Sequence, residues 1–213
     1  VTETTRNAGA AAAAASSTAF YLSANTILDA GDVKLQPSRL VATLAPNAFS
    51  TATTTLTLPN VPAGTWYVFA TADDAKSVLE ASEINNTRFA TVRVGPDLTF
   101  LSVAVPSTGV AGASITVASD VRNAGAADAP PSVVRFYLST NMTFDASDIP
   151  LNAARAIPAL LPLGTNSGTT VVGLPPNTTG TFYLLLVADA DKTVPESSEL
   201  NNLAARLITI TGG

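Results

Sequence analysis

The chain has 213 residues, enough for one large or two ordinary domains, each with a core of its own. Its 46% hydrophobic and 13% charged residues do not describe a disordered chain, and a net charge of −5 with scattered Lys and Arg leaves no basic patch for nucleic acid. Cysteine and histidine are both absent, which removes disulfides, thiolate chemistry and the usual general base near neutral pH, and no run approaches the ~18–20 apolar residues of a membrane-spanning helix.

The chain is written twice. Residues 1–94 align with 117–210 without a gap, at a constant offset of 116, and 37 of the 94 positions are identical. Two domains of one fold follow, residues 1–95 and 96–213. In chain order, the first copy opens on Arg6-Asn7-Ala8-Gly9, matched by Arg122-Asn123-Ala124-Gly125. The alanine run Ala10–Ala15 is too short for a stable helix, and its counterpart contains Pro130 and Pro131, so it reads as loop. Phe20-Tyr21-Leu22-Ser23 then matches Phe136-Tyr137-Leu138-Ser139 in a strand. Asn25, Asp29 and Asp32 match Asn141, Asp145 and Asp148 in a loop suited to Asx-turns. A loop rich in Asp, Glu and Asn, Ala72 to Asn86, returns as Ala188 to Asn202.

Gly95-Pro96 joins the copies, and the two-residue length with one proline predicts a stiff connection. The second copy opens with a strand over residues 98–105, bounded by a Pro106–Gly112 turn region, for which the first copy has no counterpart; the first copy is expected to lack its first strand. Further strands are predicted at 114–121, 133–138, more weakly at 157–161, then at 168–174, 181–188 and 203–210. The 181–188 segment is apolar on both faces, as a central strand covered on two sides would be. Seven or so short strands per copy indicate an all-β architecture: two tandem β-sandwiches of the immunoglobulin or fibronectin type III kind.

The repeat resembles the CARDB domain, the cell adhesion related domain found in bacteria. The resemblance is carried by Pro96-Asp97-Leu98, Val121-Arg122-Asn123-Ala124-Gly125, Phe136-Tyr137-Leu138-Ser139, Ala188-Asp189, Val194 with Glu196, and Glu199-Leu200-Asn201-Asn202. It implies an immunoglobulin-like sandwich, often in tandem, on secreted or surface proteins of bacteria and archaea, with no catalytic residues. The expectation is then an extracellular or cell-surface stalk or adhesion module that is not an enzyme. Its partners would be neighbouring repeats or other cell-surface proteins, with no nucleic acid and no membrane insertion.

Two alternatives remain open. The absent first strand is expected where a chain is one part of a longer repeat array, and it also allows a self-assembling fibre or homo-oligomer in which a neighbour donates a strand. A carbohydrate-binding accessory module of a secreted hydrolase would need a platform of exposed aromatics, and aromatic residues of every kind make up only 6% of the chain.

The Glu-x-x-Glu-x-Asn-Asn stretch could be taken for a catalytic carboxylate pair, but no apolar, aromatic-lined cleft accompanies it, and a return loop between the last two strands is the better reading. Val194 and Leu200 are expected to tuck that loop onto the sandwich. In a tandem array the loop after the third strand should meet this return loop at the domain junction. No cofactor is otherwise indicated, but calcium is a candidate there, with Asp29, Asp32, Asp97, Asp189, Asp191, Glu196 and Glu199 as oxygen donors.

Overall fold

The computed structural model describes all 213 residues, Val1–Gly213, and contains strands but no helix. The chain divides into two compact units, Val1–Val61 with Thr65–Val92, and Arg93–Gly213 with Pro62–Gly64.

The second unit is the more complete sandwich. Its strands, numbered after the six of the first unit, are β7 (Leu98–Ala104), β8 (Thr108–Val110), β9 (Ser114–Asn123), β10 (Ser132–Ser139), β11 (Ile149–Ile157), β12 (Thr165–Gly173), β13 (Gly180–Val187) and β14 (Leu203–Thr211). They form a three-stranded sheet in the order β12-β9-β7 and a five-stranded sheet in the order β11-β10-β13-β14-β8. Strand β9 alternates cleanly, with Ile115, Val117, Val121 and Asn123 turned inward, as a strand with one buried face should. In β13, Leu184, Leu185, Leu186 and Val187 are all buried, as expected of a central strand covered on both sides. The core between the sheets is filled by Leu98, Val134, Phe136, Leu138, Ile157, Val172, Leu174, Leu186, Ile208 and Ile210 among others.

Two strands differ from expectation. The weak segment at 157–161 is not a strand; β11 lies earlier, at Ile149–Ile157, and only Leu160 beyond it makes an isolated bridge, to Ala129. Pro150 and a run of alanines disguised β11. Proline is tolerated there because β11 is an edge strand, and its register against β10 shifts between Arg135 and Tyr137. The other is β8, three residues within the Pro106–Gly112 turn region, which runs parallel to β14. It lies so close that a Cβ on Gly109 would come within 2.4 Å of Leu174 Cδ1.

The first unit contains β1 (Thr2–Arg6), β2 (Ser16–Ser23), β3 (Val33–Val41), β4 (Phe49–Thr53), β5 (Gly64–Thr71) and β6 (Thr87–Val94). Its sheets are β1-β4 and β3-β2-β5-β6. By the 116-residue offset these are the counterparts of β9 to β14, so nothing corresponds to β7 or β8. The core is correspondingly smaller. Phe20, Leu22, Leu35 and Val68 are buried, while Leu56, Leu58, Val61, Trp66, Ala70 and Val92 are only half-buried.

Each unit ties its two sheets together through a buried arginine at the same repeat position. Arg39 of β3 forms an ion pair with Glu3 of β1 and donates to Ser50 of β4, with side chains only 8% and 12% exposed for Arg39 and Glu3. Arg155 of β11 instead donates to Ser119 Oγ (3.1 Å) and to the carbonyl (2.8 Å) and side-chain oxygens of Asn166, with no carboxylate in direct contact. Burial lowers the Arg155 pKa, and the charge of nearby Asp120 works against that. Removing one member of a buried ion pair strands the other charge in the interior. Glu3→Ala is therefore expected to destabilise the first unit by about 3 kcal/mol in urea unfolding followed by Trp66 fluorescence. The counterpart Ser119→Ala, which removes a single hydrogen bond, should cost the second unit about 1 kcal/mol.

Candidate functional site: a clamp on the incoming strand

The two most repetitive motifs of the sequence meet in the second unit on the segment Gly95–Leu98, where the chain enters β7. On one side stands the Arg-Asn-Ala-Gly motif at the end of β9. Asn123, fully buried, accepts at Oδ1 the N–H groups of Asp97 and Gly125, both at 3.0 Å. Its Nδ2 donates to the carbonyls of Ala127 (2.8 Å) and Leu160 (3.0 Å). The next residues continue the grip through the main chain: Ala124 N–H donates to the Asp97 carbonyl at 2.6 Å and Ala126 N–H to the Gly95 carbonyl at 3.1 Å. Gly125 is glycine because the incoming backbone lies directly on it. A Cβ there would stand 2.4 Å from Gly95 O, 2.5 Å from Pro96 C and 2.6 Å from Asp97 N.

On the other side stands the return loop between β13 and β14. Ser197 N–H donates to the Pro96 carbonyl at 2.8 Å, Asn201 Nδ2 to Asp97 Oδ1 at 3.0 Å, and Leu98 N–H to Glu196 Oε2. Asn202 Nδ2 holds the other Glu196 oxygen at 2.8 Å, and the Glu196 N–H reaches back to Glu199 Oε1 at 3.2 Å. Asp189 builds the loop itself: its carboxylate, 2% exposed, accepts from Thr193 N–H, Thr193 Oγ1 and Val194 N–H at 3.2, 2.9 and 2.9 Å. Asp189 and Lys192 adopt left-handed backbone angles, φ 43° and 51°, and Val194 is buried beneath the turn. Ala188 N–H closes the base on the Asn202 carbonyl at 2.8 Å.

The first unit carries the same parts. Asn7 Nδ2 donates to Ala11 O and Leu44 O, and its Oδ1 accepts from Gly9 N–H. Asp73 accepts from Ser77 N–H, Ser77 Oγ and Val78 N–H. Burial works to raise the Asp73 pKa, but the Ser77 and Val78 donors outweigh it and hold the carboxyl below its ordinary value.

The residues weighed for calcium are placed as follows. Asp29 and Asp32 belong to the first unit, where they close their own turn: Asp32 Oδ2 accepts Asp29 N–H at 2.8 Å and Asp29 Oδ1 accepts Gly31 N–H at 2.7 Å. Asp145 and Asp148 repeat that bond at 2.8 Å in the second unit, as the Asx-turn reading required. Asp97, Glu196 and Glu199 sit in the clamp, Asp189 holds the loop, and Asp191 forms a bidentate, exposed pair with Arg135 at 2.8 and 3.0 Å. No three Asp or Glu side chains come close enough together to hold a metal ion. Leu200 also departs from expectation. It is 96% exposed, as is its counterpart Ile84, so of the two expected apolar anchors only Val194 is buried.

Glu196 is the electrostatic outlier, with its pKa raised to about 7. Burial is the largest cause; the Leu98 and Asn202 donors oppose it, and the charges of Glu199 and Asp189 add to it. A carboxyl tuned near neutrality is a general acid/base candidate on chemistry alone. Here both oxygens are engaged by the protein. Neither the 290 Å³ groove along β10 and β11 nor the 320 Å³ groove of the first unit has Glu196 in its lining.

With the architecture and clamp established, the chain falls in the class of tandem immunoglobulin-like β-sandwiches. The CARDB family model matches residues 1–90 and 95–206, and the chain belongs to that family, one of cell-surface, adhesion-related domains. Among solved structures it is similar to the CARDB domain of a Pyrococcus furiosus protein in complex with di-metal ions, at 21% identity over 55% of this chain and 90% of that one, TM-score 0.42. A domain (272–376) of a putative cell surface protein from Methanosarcina acetivorans matches at 19% identity over 55% and 94%, TM-score 0.42. Red sea bream transglutaminase matches at 15% identity over 99% of this chain and 28% of its own, TM-score 0.50. At these identities the likeness is one of fold. No curated protein matches the chain.

Two outcomes test the clamp. Gly125→Ala forces a side chain into three backbone atoms and should destabilise the second unit by about 3 kcal/mol or more. Gly9→Ala meets only Asn7 Oδ1, at 3.2 Å, and should cost well under half as much; calorimetry on the two variants compares them. For Glu196, the folded pKa near 7 exceeds the ordinary 4.5, so the folded state holds the proton more tightly. Stability of the second unit should therefore fall by about 2–3 kcal/mol as pH rises from about 4.5 to about 7, and then level off. Glu196→Gln should remove that component, as urea unfolding at pH 5 and pH 8 would show.

Proposed function

We propose that this chain is a non-catalytic spacer, a pair of CARDB modules in a secreted or cell-surface protein, whose joint is stiffened by the clamp. One observation carries the reading. Six hydrogen bonds from two separate loops fix Gly95–Leu98, the segment in which a flexible linker would otherwise lie. A linker that keeps its rotational freedom needs exposed, unpaired backbone. This one spends its carbonyls and amides on the module that follows. Neighbouring repeats or other surface proteins are the partners such a spacer would have.

A carbohydrate-binding role finds less support. The first unit does group Tyr67, Phe69 and Phe89, but Phe69 is buried and the rings meet Phe89 at 87° and 49°, with centroids 5.5 and 5.2 Å apart. One pair is edge-on and the other tilted, the packing of an aromatic cluster and not a flat platform presented to a ligand.

The absence of cysteine makes the joint directly measurable. Spin labels on cysteines introduced at the exposed strand positions Thr51 and Thr169 report the distance distribution between the units. A narrow single distribution is expected. It should broaden markedly when Glu196→Ala and Asn201→Ala are combined. A distribution that is already broad without those substitutions would overturn the stiff-joint reading.

A further inference from the structure

The two sheets of the second unit have four edge strands, and three of them are built in ways that discourage a further strand. Strand β11 carries Pro150 and a register shift against β10. Strand β7 is interrupted at Leu101, where its register against β9 shifts between Phe100 and Ser102. Strand β8 is only three residues long. The fourth edge is β12, on the far side of its sheet from β7. It pairs with β9 through all nine of its residues without a shift, and it contains no proline and no charged side chain.

The direction of its free main-chain groups follows from the bonds at its two ends. Asn123 N–H donates to the Gly164 carbonyl at 2.9 Å, and Leu174 N–H donates to the Ala113 carbonyl at 2.8 Å. Gly164 and Leu174 therefore turn toward β9, and by alternation so do Asn166, Gly168, Thr170 and Val172. The amides and carbonyls of Thr165, Ser167, Thr169, Val171 and Gly173 point the other way, where no strand lies beside them. These five residues are exposed, Val171 to 67%. One strand further in, Asp120 and Arg122 of β9 stand opposite Ser167 and Thr165, and their charges are of opposite sign.

We propose that β12 is a self-association edge: two copies of this chain pair antiparallel, β12 to β12, about a twofold axis at Thr169, and join two three-stranded sheets into one continuous sheet. The strand is its own complement. Centred on Thr169, the pairing sets Thr165 opposite Gly173 of the partner subunit, Ser167 opposite Val171 of the partner subunit, and Thr169 opposite Thr169 of the partner subunit. Every facing pair consists of residues whose main-chain groups point outward, so each pair can exchange both of its bonds. A chain of net charge −5 repels its own copies over much of its surface, whereas along β12 no like charges meet. The contact uses the same edge on both chains, so it closes as a dimer and does not propagate into a fibre. No bond of the clamp involves a residue of β12, so the stiff joint stands or falls separately.

Sedimentation equilibrium of the intact chain between about 1 µM and about 1 mM covers weak, reversible association. A monomer–dimer equilibrium with no larger species is expected. Thr169→Lys and Thr169→Glu each place like charges face to face on the axis, and each should weaken the dimer at least about tenfold. An equimolar mixture of the two variants brings opposite charges together there and should dimerise again. Recovery in the mixture also shows that both variants are folded. The proposal is overturned if the parent chain stays monomeric throughout that range, if either variant alone dimerises as tightly as the parent, or if the mixture stays monomeric.

Discussion

The structure of the second unit depends on one close approach, main chain laid against main chain at Gly125. A polypeptide backbone can pack that tightly on another only where no Cβ intervenes, and the price in exposed amides and carbonyls must be recovered by direct hydrogen bonds. Ala124, Ala126 and Asn123 recover it on one side of Gly95–Leu98, and Ser197, Glu196 and Asn201 on the other. Asn123, Gly125, Asp189, Glu196, Asn201 and Asn202 of the two repeat motifs each have a place in this arrangement. Asn123 needs both ends of its amide, Asp189 folds the loop that presents Glu196, and Asn201 and Asn202 divide between Asp97 and Glu196.

The clamp places a carboxyl where solvation is poor and like charges are near, which is an unfavourable position for an ionised group. What Glu196 gains in return is specific: an acceptor for the first amide of β7, contributed from 98 residues away in sequence. A loop near the end of the second unit thus closes over the strand at that unit's start. The same residues that look catalytic in isolation, two glutamates and two asparagines in a seven-residue window, are turned toward a backbone and not toward a cleft.

Much of this was legible in the sequence, because a constant 116-residue offset and period-two apolar patterns are strong signals. The sandwich class, the doubly buried β13 and the loop at Ala10–Ala15 all follow from them. The rest was hidden for physical reasons. Strand β11 carries proline and small residues that only an edge position permits. Strand β8 is three residues whose identity is set by how little room Leu174 and Ile208 leave. Leu200 looked like an anchor since it is apolar, yet pattern alone cannot separate an anchor from an exposed aliphatic side chain. The clamp was least legible, because its partners lie 26 to 104 residues apart and the bonds run through main-chain atoms that no residue code reports. The available signal was that Asn-Ala-Gly and Glu-x-x-Glu-x-Asn-Asn, neither of them a pattern of core apolar residues, are kept in both copies.

If the incoming segment is held by both loops, its amides open only when the second unit opens as a whole. Amide hydrogen exchange resolves this residue by residue. The clamp requires Asp97, Leu98, Ala124, Ala126 and Ser197 to exchange as slowly as Val117 and Leu184 in the core strands. Exchange of those five amides at the rate of the exposed turn around Met142–Ala146 would contradict it.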